Sequence, residues 1–407
     1  MTTRRTDPAR VFVRAFGTSE GFEWGLWLAL TVFWIVELGL SPARLILLGV
    51  VLEGSVLLSE TPTGVVADVF SRRRSLILAQ AIMGVSFVWA FASTKYWVIL
   101  PAQALYGFGW TFRSGADTAW VTDELKGAAG ATDDDIDRLL LQRHRWGMIV
   151  SLIVGPLTIA AGWFWSVRAA GIAIGVAYLV IAGWLVVVMT EDHFTPGKER
   201  SAGFVQTLRD GMGVVRSRPR LRILVAVIVI FSMGSEVFDR LGYAHFLDNA
   251  GIGEINAAGE SLVAIGILFW VAALGGIAVN HSTERYFERG KGVVRIAVAL
   301  LAIAAIGGLV AAVTSAVVVI GLGYLLQDSV REALWPVMEG WANRDAPSEV
   351  RATVHSLMSQ LTSVGQISGG LLLGALAEAT SIPLAMAAGA LFFGAAGLVA
   401  TRGIRHT

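Results

Sequence analysis

Long apolar runs alternate with short polar connections along almost the whole chain. Runs of roughly 20 apolar residues are long enough to cross a bilayer as helices. They predict twelve helices, over 11–39, 43–67, 74–93, 97–123, 140–163, 168–190, 220–247, 260–281, 293–313, 315–342, 349–378 and 381–402. The longest polar connection, 191–219, contains Pro196, Gly197 and a basic run. It divides the chain into an N-terminal six-helix half (1–190), a cytoplasmic linker (191–219) and a C-terminal six-helix half (220–407). A second polar insert, 124–139, carries Asp133-Asp134-Asp135. Carboxylates favour helix N-termini, so this run is expected to be a solvated helix start. The expected fold class is an all-α membrane protein with twelve transmembrane helices in two six-helix halves. Two such halves suggest an internal repeat. The features they share, arginines after predicted helices 2 and 8 and glycines within predicted helices 5 and 11, do not establish one.

Composition agrees with a membrane solvent. Of 407 residues, 55% are hydrophobic and only 15% charged, with mean hydropathy +0.65. A soluble domain carries roughly 25% charged residues. The 46 glycines allow close helix approach, and the 14 tryptophans suit interfaces. With no cysteine, disulfides and thiol chemistry are excluded. The basic segment Met1–Arg14 lacks the apolar core of a cleaved signal and is expected to be a cytoplasmic start. Twenty-six of the 32 Lys and Arg residues fall in loops on one side of the predicted spans. Only Arg44, Lys95 and Arg168 fall on the other side, while Arg113, Arg240 and Arg331 lie within spans. The positive-inside rule then places the protein in the cell (inner) membrane with both termini and the linker cytoplasmic.

Ionisable residues inside a bilayer are costly and mark candidate function. They concentrate on predicted helices 1 (Glu20, Glu23), 4 (Arg113, Asp117), 7 (Glu236, Asp239, Arg240) and 10 (Asp328, Arg331, Glu332). Predicted helix 2, with Glu53 and Glu60, is the exception. Arg113 and Asp117 stand four apart on one predicted helix and can pair. With Glu60 at similar depth they would form an inner charge cluster, whose plainer reading is a structural charge lock. Predicted helices 7 and 10 each hold two acids against one arginine, and a surplus acid in a low-dielectric site is a candidate proton carrier. Glu20 and Glu23 have no basic partner in their own helix and lie beside Gly17, Gly21 and Gly25. Glu20, Glu23, Glu236 and Asp239 are the leading proton or cation-substrate candidates.

One connection carries a family signature. Gly64-x-x-x-Asp68-x-x-Ser71-Arg72-Arg73 resembles the loop 2–3 motif of the major facilitator superfamily, with Ser71 where that motif usually has Gly. Glu60-Thr-Pro62-Thr-Gly64 and Arg113-Ser-Gly-Ala-Asp117-Thr-Ala-Trp120 look like helices 2 and 4 of its drug-exporter branches, without the usual Arg-x-x-Gln-Gly of helix 4. Gly147-x3-Ser151-x3-Gly155-Pro156 resembles the helix 5 antiporter motif, with Ile159-Ala160 replacing its final Gly-Gly. The stretch 343–356, with Arg351-Ala-Thr, resembles the loop 10–11 region. The resemblance implies that helices 1, 4, 7 and 10 surround a central cavity, the same helices the charges single out. It also implies that Asp68 and Arg72 latch the halves together on the cytoplasmic side, with helix 11 as partner. Trp24, Trp27, Trp110, Trp120, Tyr243 and Phe246 would add aromatic surface near the cavity, although packing or interface anchoring is the plainer reading of each.

Other signals carry no chemistry. Gly17-Thr-Ser19-Glu-Gly21 matches a nucleophile pattern but lies within an apolar helix. Asn280-His-Ser282 matches a glycosylation acceptor on the cytoplasmic side. The six histidines lack metal-ligand spacing, and no Gly-Lys-Ser/Thr phosphate loop is present. No metal, cofactor, nucleic-acid partner or enzymatic activity is therefore expected. The expected partners are a small-molecule substrate, protons and the lipid bilayer, with the protein a monomer. The resulting expectation is a secondary transporter working by alternating access, with proton-coupled efflux of a small amphipathic or cationic compound. A proton symporter or lipid-like flippase on the same fold is one alternative, and a non-transporting scaffold or sensor is another.

Overall fold

A computed structural model describes residues 7–196, 204–252, 258–288, 292–346 and 351–404. The basic residues Arg4, Arg5, Lys198, Arg200, Arg289, Lys291 and Arg405 lie outside these, as do 347–350 of the loop 10–11 stretch. The described residues are helical almost throughout: α1 (Pro8–Val32, continued as a π-turn to Glu37), α2 (Pro42–Val69), α3 (Arg72–Ala92), α4 (Tyr96–Arg113), α5 (Ala116–Ala129), α6 (Asp133–Phe164) and α7 (Val167–Val188). These are followed by α8 (Phe204–Ser217), α9 (Pro219–Ala250), α10 (Ala258–Glu288), α11 (Val293–Val313), α12 (Val317–Asp345), α13 (Arg351–Ala379) and α14 (Ile382–Ile404). Among them, α2, α3, α6, α7, α9, α10, α11 and α14 are long and apolar enough to span a membrane by composition alone. α1, α4, α12 and α13 are not in that set. Three of these four carry the intramembrane charges already named, and such charges lower hydropathy.

Two differences from the predicted helices matter. Predicted helix 4 (97–123) is not continuous. Ser114 leaves the helical region, and Gly115 takes φ +73, a left-handed conformation that costs a side-chain-bearing residue strain. The chain therefore turns between α4 and α5. The 191–219 connection is also not all loop, because α8 lies within it and packs on α9 and α13 with Val215 buried. The acidic run does start a helix. Thr132 caps α6 by accepting from the Asp135 amide, and Asp135 accepts from Thr132 in return.

The helices form two packing units. One comprises Met1–Leu38, Gly54–Gly203 and Ala258–Leu262. Within it α1 packs on α6 and α7, and α3 on α4, α5 and α7. The other comprises Gly39–Glu53, Phe204–Ala257 and Val263–Thr407. Here α9 packs on α13, α14 and α12, and α11 on α12 and α14. One pairing scheme serves both: α1–α6 corresponds to α9–α13, α3–α7 to α11–α14, α3–α4 to α11–α12, and α1–α7 to α9–α14. Packing places the start of α2, up to Glu53, with the C-terminal helices, whereas the sequence division placed all of it in the N-terminal half.

Candidate functional site

In the first unit, small residues bring two helices close enough for their charges to meet. Gly17, Gly21 and Gly25 form one stripe of α1 against α6. A methyl group on Gly21 would stand 2.5 Å from Val150 and 2.7 Å from the Gly147 carbonyl. Gly147, the first residue of the helix 5 motif, faces back onto the Gly17 carbonyl and the Glu20 side chain. Pro156 of that motif lies inside α6, and Gly155 is buried.

Across this seam Glu20 pairs with Arg143 at 3.4 Å and accepts a hydrogen bond from His144 Nδ1 at 2.9 Å. Arg143 also pairs with Asp117 at 2.8 Å. One turn along α1, Glu23 pairs with Arg113 at 2.8 Å. The Tyr178 hydroxyl lies 2.8 Å from the Ser19 carbonyl and 3.3 Å from Glu23, a donor to either. The Arg113 guanidinium stacks 4.4 Å from the Trp110 ring, and Trp27 meets Tyr106 edge-on.

The expected Arg113–Asp117 pair is therefore not what forms. The turn at Ser114–Gly115 ends the helical register between them, and each residue takes a partner from another helix. Asp117 nevertheless remains a charged neighbour of Arg113. Glu60 is part-buried on α2, beside Pro62. Glu20 and Glu23, without basic partners in their own helix, acquire them from α6 and α4. Sequence reading missed Arg143, counted as loop charge, His144, set among the scattered histidines, and Tyr178, which it did not single out. The one available signal was that Arg143 stands four residues before Gly147, on the same face.

In the second unit, Glu236 and Arg240 pair along α9 at 2.9 Å, with side chains only 3% and 9% exposed. Asp239, on the same helix, pairs with Arg331 of α12. Arg331 also holds Asp328 at 3.6 Å and donates to the Ser235 carbonyl at 3.3 Å. Glu53 of α2 accepts from the Ser363 hydroxyl at 2.7 Å. Tyr243 and Tyr324 meet at a tilt beside this cluster, ring centroids 4.9 Å apart. Glu332 lies at the edge of the group, one turn from Asp328 and exposed on α12 against Gly276 of α10. The group thus sets Glu53, Glu236, Asp239 and Asp328 against Arg240 and Arg331, with Glu236 buried and the others partly buried. Low-dielectric surroundings make an unbalanced carboxylate expensive unless it carries a proton.

The loop 2–3 residues form a separate polar assembly within the first unit. Arg72 pairs with Asp68 at 3.2 Å, pairs with Asp123 of α5, and donates to the Ala119 carbonyl at 3.2 Å. Arg73 donates to the carbonyls of Met189 and Val186, each at 2.6 Å, and so caps the end of α7. Glu191 accepts from the Arg73 amide at 2.9 Å and from Ser71 at 2.5 Å. Ser71 also accepts from the Arg74 amide at 3.0 Å. The serine thus serves as the N-cap of α3, which explains why it can stand where the motif usually has glycine. The contacts described here bind the loop to α5 and α7, whereas the resemblance implied a latch onto helix 11. Gly64 has open space where a side chain would project.

Among the described residues no His, Cys, Asp and Glu group could hold a metal ion.

The family model for the Major Facilitator Superfamily matches residues 144–370, more than half of the chain. The chain belongs to the Major Facilitator Superfamily. It is a multi-pass membrane transporter of that type, with an all-α fold and no enzymatic role. Over 376 residues it is 20% identical to the uncharacterized MFS-type transporter YxaM of Bacillus subtilis (strain 168), covering 90% of this chain and 88% of that protein. Among solved structures it is similar to the nucleoside transporter NupG, with TM-score 0.76 and 14% identity over 98% of this chain and 99% of that one. It is also similar to a bacterial homolog of the human lysosomal transporter Spinster, inward-facing and occupied. That match has TM-score 0.75 and 14% identity over 99% of this chain and 98% of that one. At these identities the structural likeness shows the fold alone.

Proposed function

We propose that this superfamily member is a proton-coupled secondary transporter that exports a small amphipathic or cationic compound by alternating access. The observation that carries this reading is the carboxylate surplus of the second unit. Glu236, Asp239 and Asp328 pair with Arg240 and Arg331 in partly to fully buried surroundings, with Glu53 on Ser363 as the further carboxylate of that unit. Such a cluster binds and releases protons as its surroundings change between aqueous access and seclusion.

The first unit supplies the chemistry for an amphipathic cation. Glu20, Glu23 and Asp117 offer carboxylates, and Trp27, Tyr106 and Trp110 offer aromatic faces close to Arg113. Aromatic faces and carboxylates together favour an organic cation. The likeness of 60–64 and 113–120 to drug-exporter branches supports efflux. The bias of Lys and Arg toward one set of loops supports an inner-membrane orientation with cytoplasmic termini and linker. On this reading the protein works as a monomer, with Asp68, Arg72 and Arg73 ordering the cytoplasmic ends of the helices.

The test is a panel of organic cations and neutral controls in proteoliposomes with an imposed pH gradient. Substrate movement against the proton flow supports antiport. Movement with the proton flow reassigns the protein as a symporter, and indifference to the gradient removes proton coupling altogether.

A further inference from the structure

At one end of the second unit, the last turn of α9 and two connections enclose a pocket of about 490 Å³. The connections are 314–316, between α11 and α12, and 380–381, between α13 and α14. The volume lies within the range of small-molecule sites. Asp248, Thr314, Ser315 and Ser381 give the pocket polar groups, while Val313, Ile382 and Pro383 give it an apolar wall. Two of the hydroxyls are held in place by backbone amides. Thr314 accepts from Ala316 at 3.1 Å, and Ser381 accepts from Leu384 at 3.4 Å.

The pocket is negative and rich in hydrogen-bond acceptors. No arginine or lysine lines it, so the Asp248 carboxylate is uncompensated there. His245, a buried lining residue, does not supply the missing charge. The Ala311 carbonyl stands 3.1 Å from His245 Nε2, which must therefore carry a proton. Nδ1 of the ring accepts from the Asn249 amide at 3.2 Å, so the ring is neutral. The same Asn249 nitrogen donates to the His245 carbonyl at 2.9 Å. Both of its protons are thereby committed, and Asn249 is left with its oxygen, an acceptor, for the pocket.

This set of groups narrows the ligand. Asp248 repels an anion. A divalent metal ion needs more ligating oxygens than one carboxylate supplies, and among the described residues no His, Cys, Asp and Glu group could hold a metal. A compound with a positive charge, N–H donors and an apolar body matches the carboxylate, the acceptors and the wall together. We propose that this pocket binds a small organic ammonium or guanidinium compound. Its cationic group pairs with Asp248, its remaining N–H groups go to Asn249 and the hydroxyls, and its apolar body lies along Ile382 and Pro383. A bound compound ties together the end of α9 and the starts of α12 and α14. On the orientation proposed above, these are outer ends. Only that sidedness rests on the proposed orientation, and the site itself is independent of proton coupling.

Because the chain has no cysteine, a single introduced thiol can report on the pocket without other changes. Ala316→Cys places it at the exposed N-cap of α12, two residues after Thr314. Its rate of labelling by a membrane-impermeant maleimide is measured on the full chain in detergent. Benzylammonium is the probe, and benzyl alcohol is its neutral match. Benzylammonium should slow labelling in a saturable way, and benzyl alcohol should not. Asp248→Asn should weaken that protection about tenfold. Ser315→Lys, which brings a cation to Asp248, should remove it. Equal protection by both probes, or none by benzylammonium, overturns the proposal, as does protection that survives both substitutions unchanged. Labelling of intact cells separates the site from its sidedness. Protection in detergent, with a thiol that the reagent cannot reach from outside the cell, keeps the site and reverses its face. Transport indifferent to a proton gradient removes the proposed function and leaves this site standing.

Discussion

Glu23 of α1 and Arg113 of α4 form a 2.8 Å ion pair with side chains only 16% and 10% exposed. Ninety residues of sequence separate them. Tyr178 and the Trp110 ring complete the surroundings, so neither charge meets bulk solvent on an open face. A buried pair of this kind is stabilising only while both partners are present.

Glu23→Ala is accordingly expected to lower stability by about 3–5 kcal/mol, since it strands Arg113. Pairing it with Arg113→Met should recover most of that loss, because hydrophobic replacement of a whole buried pair is often neutral. Thermal unfolding in detergent measures both. A double variant no more stable than Glu23→Ala would show that the pair is not the source of the cost.

The α1–α6 seam predicts a strong size limit at Gly21. A methyl group there stands 2.5 Å from Val150 and 2.7 Å from the Gly147 carbonyl. Gly21→Val should cost about 1–3 kcal/mol through overpacking. It should also part Glu20 from Arg143 and His144, visible as increased thiol labelling of an introduced Arg145→Cys. Unchanged unfolding and labelling would contradict the close seam.

Gly115 sits at φ +73 with open space around it, so only the backbone opposes a side chain. Gly115→Ala should destabilise by about 1–2 kcal/mol, whereas Gly115→Asn should cost less, because Asn tolerates the left-handed region. Equal unfolding temperatures for the two variants would argue against a left-handed turn between α4 and α5.

Glu191 accepts from Ser71 and from the Arg73 amide, fastening the start of α3 to the segment after α7. Glu191→Ala leaves these donors unmatched and should cost about 1–3 kcal/mol. Protease cutting within residues 189–194 should rise with it. Arg73→Lys should act in the same direction, because one ammonium cannot reproduce the fork that reaches both Met189 and Val186 carbonyls.

Much of the fold was legible in the chain. Hydropathy runs located most helix ends to within a few residues, and predicted helix 9 (293–313) matches α11 from end to end, whereas α6 starts at Asp133 against a predicted 140 and α10 ends at Glu288 against a predicted 281. The capping of α6 was readable because Thr132 and the carboxylates after it act locally. The break after Arg113 was not, since glycine permits a left-handed turn without requiring one. α8 was hidden in a connection whose polarity gave no continuous apolar run.

What the sequence determined by itself was one-dimensional: span length, loop charge and the family signature at 64–73. Each depends on residues close together in the chain, where helix geometry converts spacing directly into position. The partners were decided only by tertiary structure. Arg113 meets Glu23 because a turn removes Asp117 from its helical face. Glu20 meets Arg143 because glycines let α1 and α6 close to contact. Glu236 meets the α2 backbone because Gly49 leaves room for its carboxylate. These juxtapositions come from helices folding back on one another across tens to hundreds of residues, and no local spacing encodes which face meets which.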